Sequence, residues 1–113
     1  MQINSIDLLI KSPWISIKGT KYKPKMVLTL SIEENELPKF CIIEHIILYD
    51  SKYVMYKCLE LDTILFDEHL VSYEVKVVNS NQFVYHHMLP FFIPNNINIL
   101  LDGCKYVTVR SSI

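Results

Sequence analysis

The chain has 113 residues, of which half are hydrophobic and a fifth are charged. This length supports one hydrophobic core and the composition excludes intrinsic disorder, so we expect a single domain spanning residues 1–113. The 11 basic and 12 acidic side chains give a formal net charge of −1, which excludes a strong long-range field toward nucleic acid or an acidic membrane. Because the sequence has neither a membrane-length apolar run nor a signal-peptide pattern, we expect an intracellular protein, in the nucleus or the cytoplasm.

Short strands are predicted in the first third of the chain. Residues 1–10 predict an opening strand or a short helix, and residues 14–17 alternate as a half-exposed strand does. Gly19 permits a turn after them, because glycine readily adopts positive φ. Residues 26–32 alternate cleanly and predict a strand with one face toward the core. The acidic residues 33–36 and the proline at position 38 indicate a surface connection.

A long β-hairpin is predicted at the centre of the chain, with arms at residues 40–49 and 53–58 and a turn at residues 50–52. Apolar residues occupy odd and even positions in both arms, which predicts that the hairpin is covered on both faces and lies in the middle of a sheet. Glu44 and His45 are polar residues within this apolar strand. We expect them to form a satisfied pair or to mark an exit at the sheet edge.

The region after the hairpin mixes clear and unclear patterns. Residues 59–70 lack a clean period, which predicts a loop with a short extended piece. Residues 71–77 alternate and predict a strand, whereas the Asn and Ser residues at 79–81 indicate a turn. Residues 82–89 predict either a strand or a short helix that ends before Pro90.

A second hairpin is predicted at the end of the chain, where residues 97–101 meet residues 104–109 across Asp102 and Gly103. Asp-Gly between apolar runs is typical of a two-residue type I′ turn. Strand patterns therefore recur without intervening helices. The fold class that we expect is all-β or mainly β: a small antiparallel barrel or two-sheet sandwich of about six to eight strands, with at most one or two short helices.

The cysteines and histidines do not predict a metal or cofactor site. Cys41, Cys58 and Cys104 are too widely spaced for paired zinc ligands, and an odd number does not suggest a disulfide framework, so we expect reduced thiols. The two isolated glycines exclude a glycine-rich phosphate loop.

Catalysis is equally unsupported by a motif. His69 lies beside Asp67 and Glu68, but no framed nucleophile accompanies it, so a solvated polar loop is the expected structure there. We therefore expect no enzyme activity, no catalytic residues and no cofactor.

Lysines surround one aromatic residue near the first predicted turn. This segment contains Lys18, Lys21, Tyr22, Lys23 and Lys25. On a small barrel such lysines can bind phosphates while the ring stacks on a base, which predicts, as an alternative function, a nucleic-acid- or chromatin-associated domain. The competing interpretation is a lysine-rich edge that prevents pairing with other sheets.

Four aromatic residues lie close together around Pro90: Phe83, Tyr85, Phe91 and Phe92. A short irregular segment cannot easily bury four large rings, so an exposed aromatic patch is expected. Such a patch predicts a protein-interaction or self-association module that binds a protein partner or forms a homodimer through this segment or through an exposed strand edge.

Scattered residues across the chain from about Trp14 onward resemble a family of β-rich domains. They are Trp14, Gly19, Tyr22, Met26-Val27, Leu37-Pro38-x-Phe40, Phe66 with His69, Tyr73-Glu74-Val75 and Tyr106-Val107. The family occurs near the C-terminus of uncharacterised animal proteins, many of them derived from transposable elements. The resemblance implies a module related to a longer protein that binds rather than catalyses, and it assigns no functional residue.

Overall fold

The computed structural model describes residues 9–31, 36–50 and 53–108. Within them the chain forms strands and one short 3-10 helix, His86–Met88. The strands are β1 (Leu9–Ser12), β2 (Ile15–Ile17), β3 (Thr20–Tyr22), β4 (Val27–Ser31), β5 (Lys39–Tyr49), β6 (Tyr53–Asp67), β7 (Ser72–Tyr85), β8 (Asn96–Ile99) and β9 (Lys105–Thr108). The predicted all-β fold class is therefore confirmed.

The main sheet is antiparallel and curls into a half-barrel. Its order is β1-β5-β6-β7-β9-β8, and β4 pairs with the first half of β5 while β1 pairs with the second half. The strands β2 and β3 form a separate two-stranded sheet. Only β5, β6 and β7 are long, so the short strands β4 and β1 pair with opposite ends of β5.

A single bridge joins the two margins of the curled sheet. The backbone of Val27 in β4 exchanges hydrogen bonds with Asn95, just before β8, at N···O distances of 2.8 and 2.7 Å. The Asn95 side-chain amide also donates to the hydroxyl of Thr29 at 2.9 Å, in a site where both residues are buried. The bridge thus turns the half-barrel into a ring of six strands at this end.

Two separate hydrophobic cores lie on opposite faces of the β5–β6 pair. The interior core, inside the curl, contains Val27, Phe40, Leu61, Val75 and Val107. The outer core contains Tyr22, Leu28, Cys41, Ile43, Ile46, Tyr56, Cys58 and Leu89. Since adjacent residues of a strand point to opposite faces, Phe40 and Cys41 enter different cores. The prediction of a central hairpin covered on both faces is confirmed for the half of the hairpin near Phe40 and Leu61. In the other half, within the described residues 45–49 and 53–57, only the face toward the outer core is covered.

A β-bulge explains the polar residues within the central hairpin. The pairing of β5 with β6 shifts register between Ile43 and His45, so that Glu44 is the additional residue. Both Glu44 and His45 are half-buried rather than fully buried. The expected polar pair or sheet-edge exit is therefore replaced by a bulge in the middle of the strand.

Two predictions for the region after the hairpin are wrong. Residues 59–67 belong to β6, not to a loop, and residues 79–81 belong to β7, not to a turn. The cause is visible in the pairing of the two strands, which shifts register between Leu59 and Leu61 and again between Thr63 and Leu65. Each irregularity interrupts the alternation of apolar and polar residues, so the sequence loses its period although the strand continues.

Smaller corrections concern β4 and the closing hairpin. Val27 and Leu28 are both buried, so β4 is covered on two faces and not on one. The β8–β9 loop spans residues 100–104, and Gly103 has positive φ whereas Asp102 does not, so it is not a two-residue type I′ turn. The predicted turn at Gly19 is confirmed, with φ of +86°. The predictions for residues 1–8, 32–35 and 109 lie outside the described residues.

Candidate interaction surfaces

The first surface is formed by the aromatic residues at the end of β7. Val84 packs against the outer core, so Phe83 and Tyr85, its neighbours in the strand, point to the opposite side of the sheet. No strand of the described ranges covers them there, and 58% of Phe83 and 39% of Tyr85 is exposed. Both predicted aromatic residues are thus available on an uncovered sheet surface.

The pairing of the strands identifies the neighbours of these two rings. Residues opposite each other in an antiparallel pair share a face, and Phe83 is opposite Lys57, which in turn is opposite His45. Tyr85 is opposite Met55, followed by Ile47 on β5 and Lys11 on β1. We call this surface the open face, and it consists of Lys11, His45, Ile47, Met55, Lys57, Phe83 and Tyr85.

The remaining two predicted aromatic residues follow the 3-10 helix and do not belong to β7. Phe92 stacks on the imidazole of His86, with ring centroids 5.2 Å apart and planes inclined by 27°, and it remains half exposed. Phe91 is 45% exposed. The predicted set therefore does not form one patch, because two of its rings belong to the sheet face and one belongs to a cluster around His86.

His86 is the centre of that cluster. Its ring contacts the edges of Tyr22 and Tyr56 at centroid distances of 5.2 and 6.0 Å, and its Nδ1 atom lies 3.0 Å from the Tyr56 hydroxyl oxygen. The Tyr22 hydroxyl donates to the carbonyl oxygen of Phe92. These contacts attach the segment after β7 to the outer core.

Burial and neighbouring cations shift the titration of this cluster. Burial lowers the pKa of His86, and the positive charges of His87 and Lys18 lower it further. Burial raises the pKa of Tyr22 and of Tyr56, so both phenols stay protonated at neutral pH. With a neutral His86, the Tyr56 hydroxyl can donate to Nδ1, which places the imidazole hydrogen on Nε2.

A cavity of about 350 Å³ opens beside the cluster. Its lining includes Ile17, Lys18, Thr20, His86, His87 and Phe92. A second depression of about 480 Å³ shares Ile17, His86 and His87 with it, so the histidines lie between the two. We call the first one the His86 cavity. It combines an aromatic face, an aliphatic side chain and three basic groups.

The lysine-rich segment has a different geometry from the one that base stacking requires. Lys18, Lys21, Lys23 and Lys25 are all exposed, but the side chain of Tyr22 is completely buried and belongs to the outer core. Its ring therefore offers no free face to a base. The ammonium group of Lys21 instead lies 4.9 Å from the ring centre of Trp14, and that indole is half exposed.

The groups considered for metal binding and catalysis do not converge in the described part of the chain. In that part, no three His, Cys, Asp or Glu side chains lie close enough to hold a metal ion. The Asp67 carboxylate accepts hydrogen bonds from the backbone N–H groups of His69 and Leu70, at 2.9 and 3.0 Å. His69 is exposed on this turn between β6 and β7. The carboxylate thus stabilises the turn.

The thiols are free, and two of them are adjacent in the outer core. A hydrogen bond with the Cys58 thiol, together with burial and the nearby Glu60 carboxylate, raises the pKa of Cys41. A hydrogen bond with Asp102 raises the pKa of the more accessible Cys104. Since the thiolate is the reactive form, both shifts disfavour nucleophilic chemistry.

Sequence reasoning missed the roles of His86, Tyr56 and Trp14. His86 and Tyr56 are 30 positions apart, and nothing in their local patterns connects them until β6 and β7 are paired. Trp14 precedes the short strand β2, where an exposed indole is indistinguishable from a core residue by period. The one feature of the sequence that could have indicated the role of Trp14 is its position close to the predicted lysine-rich segment.

In the described part of the chain, no helix is long and apolar enough to cross a membrane. Comparison with protein-family models, with curated proteins and with solved structures found no match. The resemblance to the transposon-derived β-rich domains therefore stays a prediction.

Proposed function

We propose that this chain is a non-enzymatic protein-interaction module that binds a partner through the open face. The observation that carries the proposal is the exposure of Phe83 and Tyr85 on a sheet face that no described strand covers. Aromatic side chains supply much of the binding energy at protein interfaces, because they bury a large area with few rotatable bonds. Exposed rings that are held by a rigid strand fit this role.

The size of the open face favours a partner segment over a second folded domain. Four strands spaced about 4.8 Å apart and about five residues of each, rising about 3.3 Å per residue, give an area of roughly 300 Å². That value matches the apolar patches that often mark binding sites on monomers. It is well below the roughly 800 Å² that each partner buries in a stable complex of standard size.

The charge of the open face indicates the chemistry of that segment. Lys11 and Lys57 border the apolar centre, and none of the residues that define the face is acidic. An extended or helical segment with aliphatic residues and one or two carboxylates would therefore complement it. This composition distinguishes the expected partner from a purely apolar surface.

The test is selection of binding peptides from a random display library, with the complete chain as the target. We expect enriched peptides to combine apolar and acidic residues, and to lose at least tenfold in affinity when Phe83→Ser or Tyr85→Ser is introduced. Phe91→Ser is the matched control, because Phe91 is similarly exposed but lies outside the open face. Circular dichroism verifies that each variant is folded.

Other outcomes would redirect the proposal. If the peptides bind the Phe83→Ser variant as tightly as the original chain, the open face is not the binding site. If light scattering shows a dimer that Phe83→Ser dissociates, the occupant is a second copy of the chain and the function is self-association.

Nucleic-acid binding is the second candidate function, and the Trp14–Lys21 pair is the observation that favours it. A half-exposed indole beside a lysine can stack on a base while the cation contacts a phosphate. A mobility-shift titration at low and moderate salt tests it. Binding that weakens with salt and is lost in Trp14→Ala would support it, whereas the absence of a salt-dependent shift would exclude it.

A further inference from the structure

The His86 cavity lies beside the outer core, and its lining residue His87 contacts the ring of Tyr85 at a centroid distance of 5.6 Å. The cavity therefore adjoins the open face at Tyr85 but is lined by other residues. Its walls come from distant parts of the chain: Ile17 and Lys18 from the β2–β3 hairpin, and His86 and Phe92 from the segment around the 3-10 helix. The Tyr22 hydroxyl fastens these two segments together at the Phe92 carbonyl oxygen. The cavity is therefore held by tertiary contacts.

Basic groups line this cavity without an acidic counterpart among its described lining residues. Lys18, His86 and His87 line it, and Thr20 is a further polar lining residue. The positive charges of His87 and Lys18 lower the pKa of His86 in addition to the effect of burial. Basic side chains that lie close together create a positive potential, which a bound anion would neutralise.

The lining of the His86 cavity contains both a hydrogen-bond donor and apolar side chains. With Tyr56 donating to Nδ1, the Nε2–H group of His86 is available as a donor toward a ligand. Phe92 stacks on the same imidazole and remains half exposed, and Ile17 adds an aliphatic wall. A volume of about 350 Å³ suits a small molecule at the lower end of the usual range.

We propose that the His86 cavity binds a small oxyanion attached to an aromatic or aliphatic body, the anion contacting Lys18 and the two histidines and the body contacting Phe92 and Ile17. A carboxylate and a phosphate ester share this chemistry. Charge-assisted hydrogen bonds are stronger than neutral ones, so the anionic group supplies most of the discrimination. The apolar body adds burial against Phe92 and distinguishes the ligand from a free inorganic ion.

The probes are benzoate, its neutral analogue benzamide, and inorganic sulfate, followed by chemical-shift changes of the His86 and His87 rings. We expect saturable binding of benzoate and about tenfold or weaker affinity for benzamide, which corresponds to the loss of one charge-assisted contact. Benzoate binding more tightly than sulfate would assign the site to carboxylates with an aromatic body. Sulfate binding as tightly as benzoate, or more tightly, would show that the apolar body adds no affinity and would overturn the proposal.

Substitutions locate the site without disturbing the core. Lys18→Gln and His87→Gln change exposed side chains, and each is expected to weaken benzoate binding about tenfold. Lys23→Gln removes an exposed lysine that does not line the cavity, and it should leave the affinity unchanged. Equal binding of benzoate and benzamide, or equal effects of Lys18→Gln and Lys23→Gln, would overturn the proposal.

The pH dependence supplies an independent readout. His86 faces Tyr22 from β3, Tyr56 from β6, Lys18 from the β2–β3 turn and its neighbour His87. Both phenols stay neutral, so protonation of His86 adds one positive charge to the cavity as the pH falls. Sulfate affinity should then rise by about tenfold, and saturating sulfate should raise the pKa of His86 by about one unit, because the linkage is reciprocal. An unchanged His86 pKa would refute the site.

Discussion

Removing the Asn95 side chain should destabilise the protein, because this buried amide supports the bridge at which the curled sheet closes, whereas the backbone bonds of Asn95 with Val27 remain in the variant. Its amide donates to the Thr29 hydroxyl at 2.9 Å, and the two residues are 1% and 2% exposed. In Asn95→Ala, a buried hydroxyl loses this donor and a void replaces the amide. Leaving a buried polar group unsatisfied costs about 1–3 kcal/mol, which is a large part of the roughly 5–15 kcal/mol that stabilises a typical domain.

Urea denaturation monitored by circular dichroism measures this loss. Asn98→Ala is the matched control, since Asn98 lies on β8 but is exposed and should change the free energy of unfolding by less than about 0.5 kcal/mol. Thr29→Val removes the acceptor, and the double variant should be less destabilised than the sum of the two single variants by about 1 kcal/mol. Equal effects of Asn95→Ala and Asn98→Ala, or strict additivity with Thr29→Val, would refute the role of this hydrogen bond.

Two further predictions follow from the titratable groups of the outer core. The pKa of folded His86 is lowered below 6.5, so the contribution of its neutral form to stability is fully present above pH 6.5 and is lost as the pH falls through the folded pKa. The free energy of unfolding should therefore decrease with falling pH in the original chain and in the control His69→Gln, but less in His86→Asn. An identical decrease in all three proteins would contradict this role of His86. Cys41 and Cys58 are buried, and hydrogen bonding and burial raise the pKa of Cys41. Iodoacetamide near pH 8 should therefore modify Cys104 first, and Cys41 and Cys58 only after unfolding. Mass spectrometry of digests measures the order of modification. Modification of native Cys41 at the rate of Cys104 would contradict this expectation.

The central hairpin was predictable because both of its faces are apolar. A run such as residues 40–49 has apolar side chains at odd and even positions, and in the structure Phe40 and Cys41 enter different cores. The turn at Gly19 was predictable for a local reason, since positive φ there requires no distant partner. Patterns that depend on one strand or one turn are readable from the sequence.

Irregular pairing was not predictable. The polar residues at 79–81 are typical of a turn, but in the structure they continue β7. Asn81 pairs with Leu59, and residues 78–80 lie in the register shift between that pair and the pair of Leu61 with Val77. A bulge is defined by two strands together, and neither strand alone specifies it. The two incorrect predictions, a loop at residues 59–67 and a turn at residues 79–81, both result from this irregular pairing.

The candidate surfaces were predictable in part. The exposure of Phe83 and Tyr85 was predicted from the inability of a short irregular segment to bury several rings, but in the structure both lie in β7 on a face that no described strand covers. Phe92 is separate from them because it follows the 3-10 helix and stacks on His86. Likewise, Tyr22 was expected among exposed lysines but is buried completely. Alternation within β3 places its ring against the outer core, whereas the lysines on either side point outward.

The β5–β6 pair also makes the interior core and the outer core energetically independent of each other. Because this two-stranded wall lies between the interior core and the outer core, a cavity made at Val75 on one side has no side-chain neighbour in common with a cavity made at Tyr56 on the other. Substitutions that do not share partners combine additively, whereas those within one core compensate or aggravate each other. The protein can therefore change the residues around the His86 cavity without repacking the interior of its barrel, so a surface for ligands and a scaffold for stability can diverge independently within 113 residues.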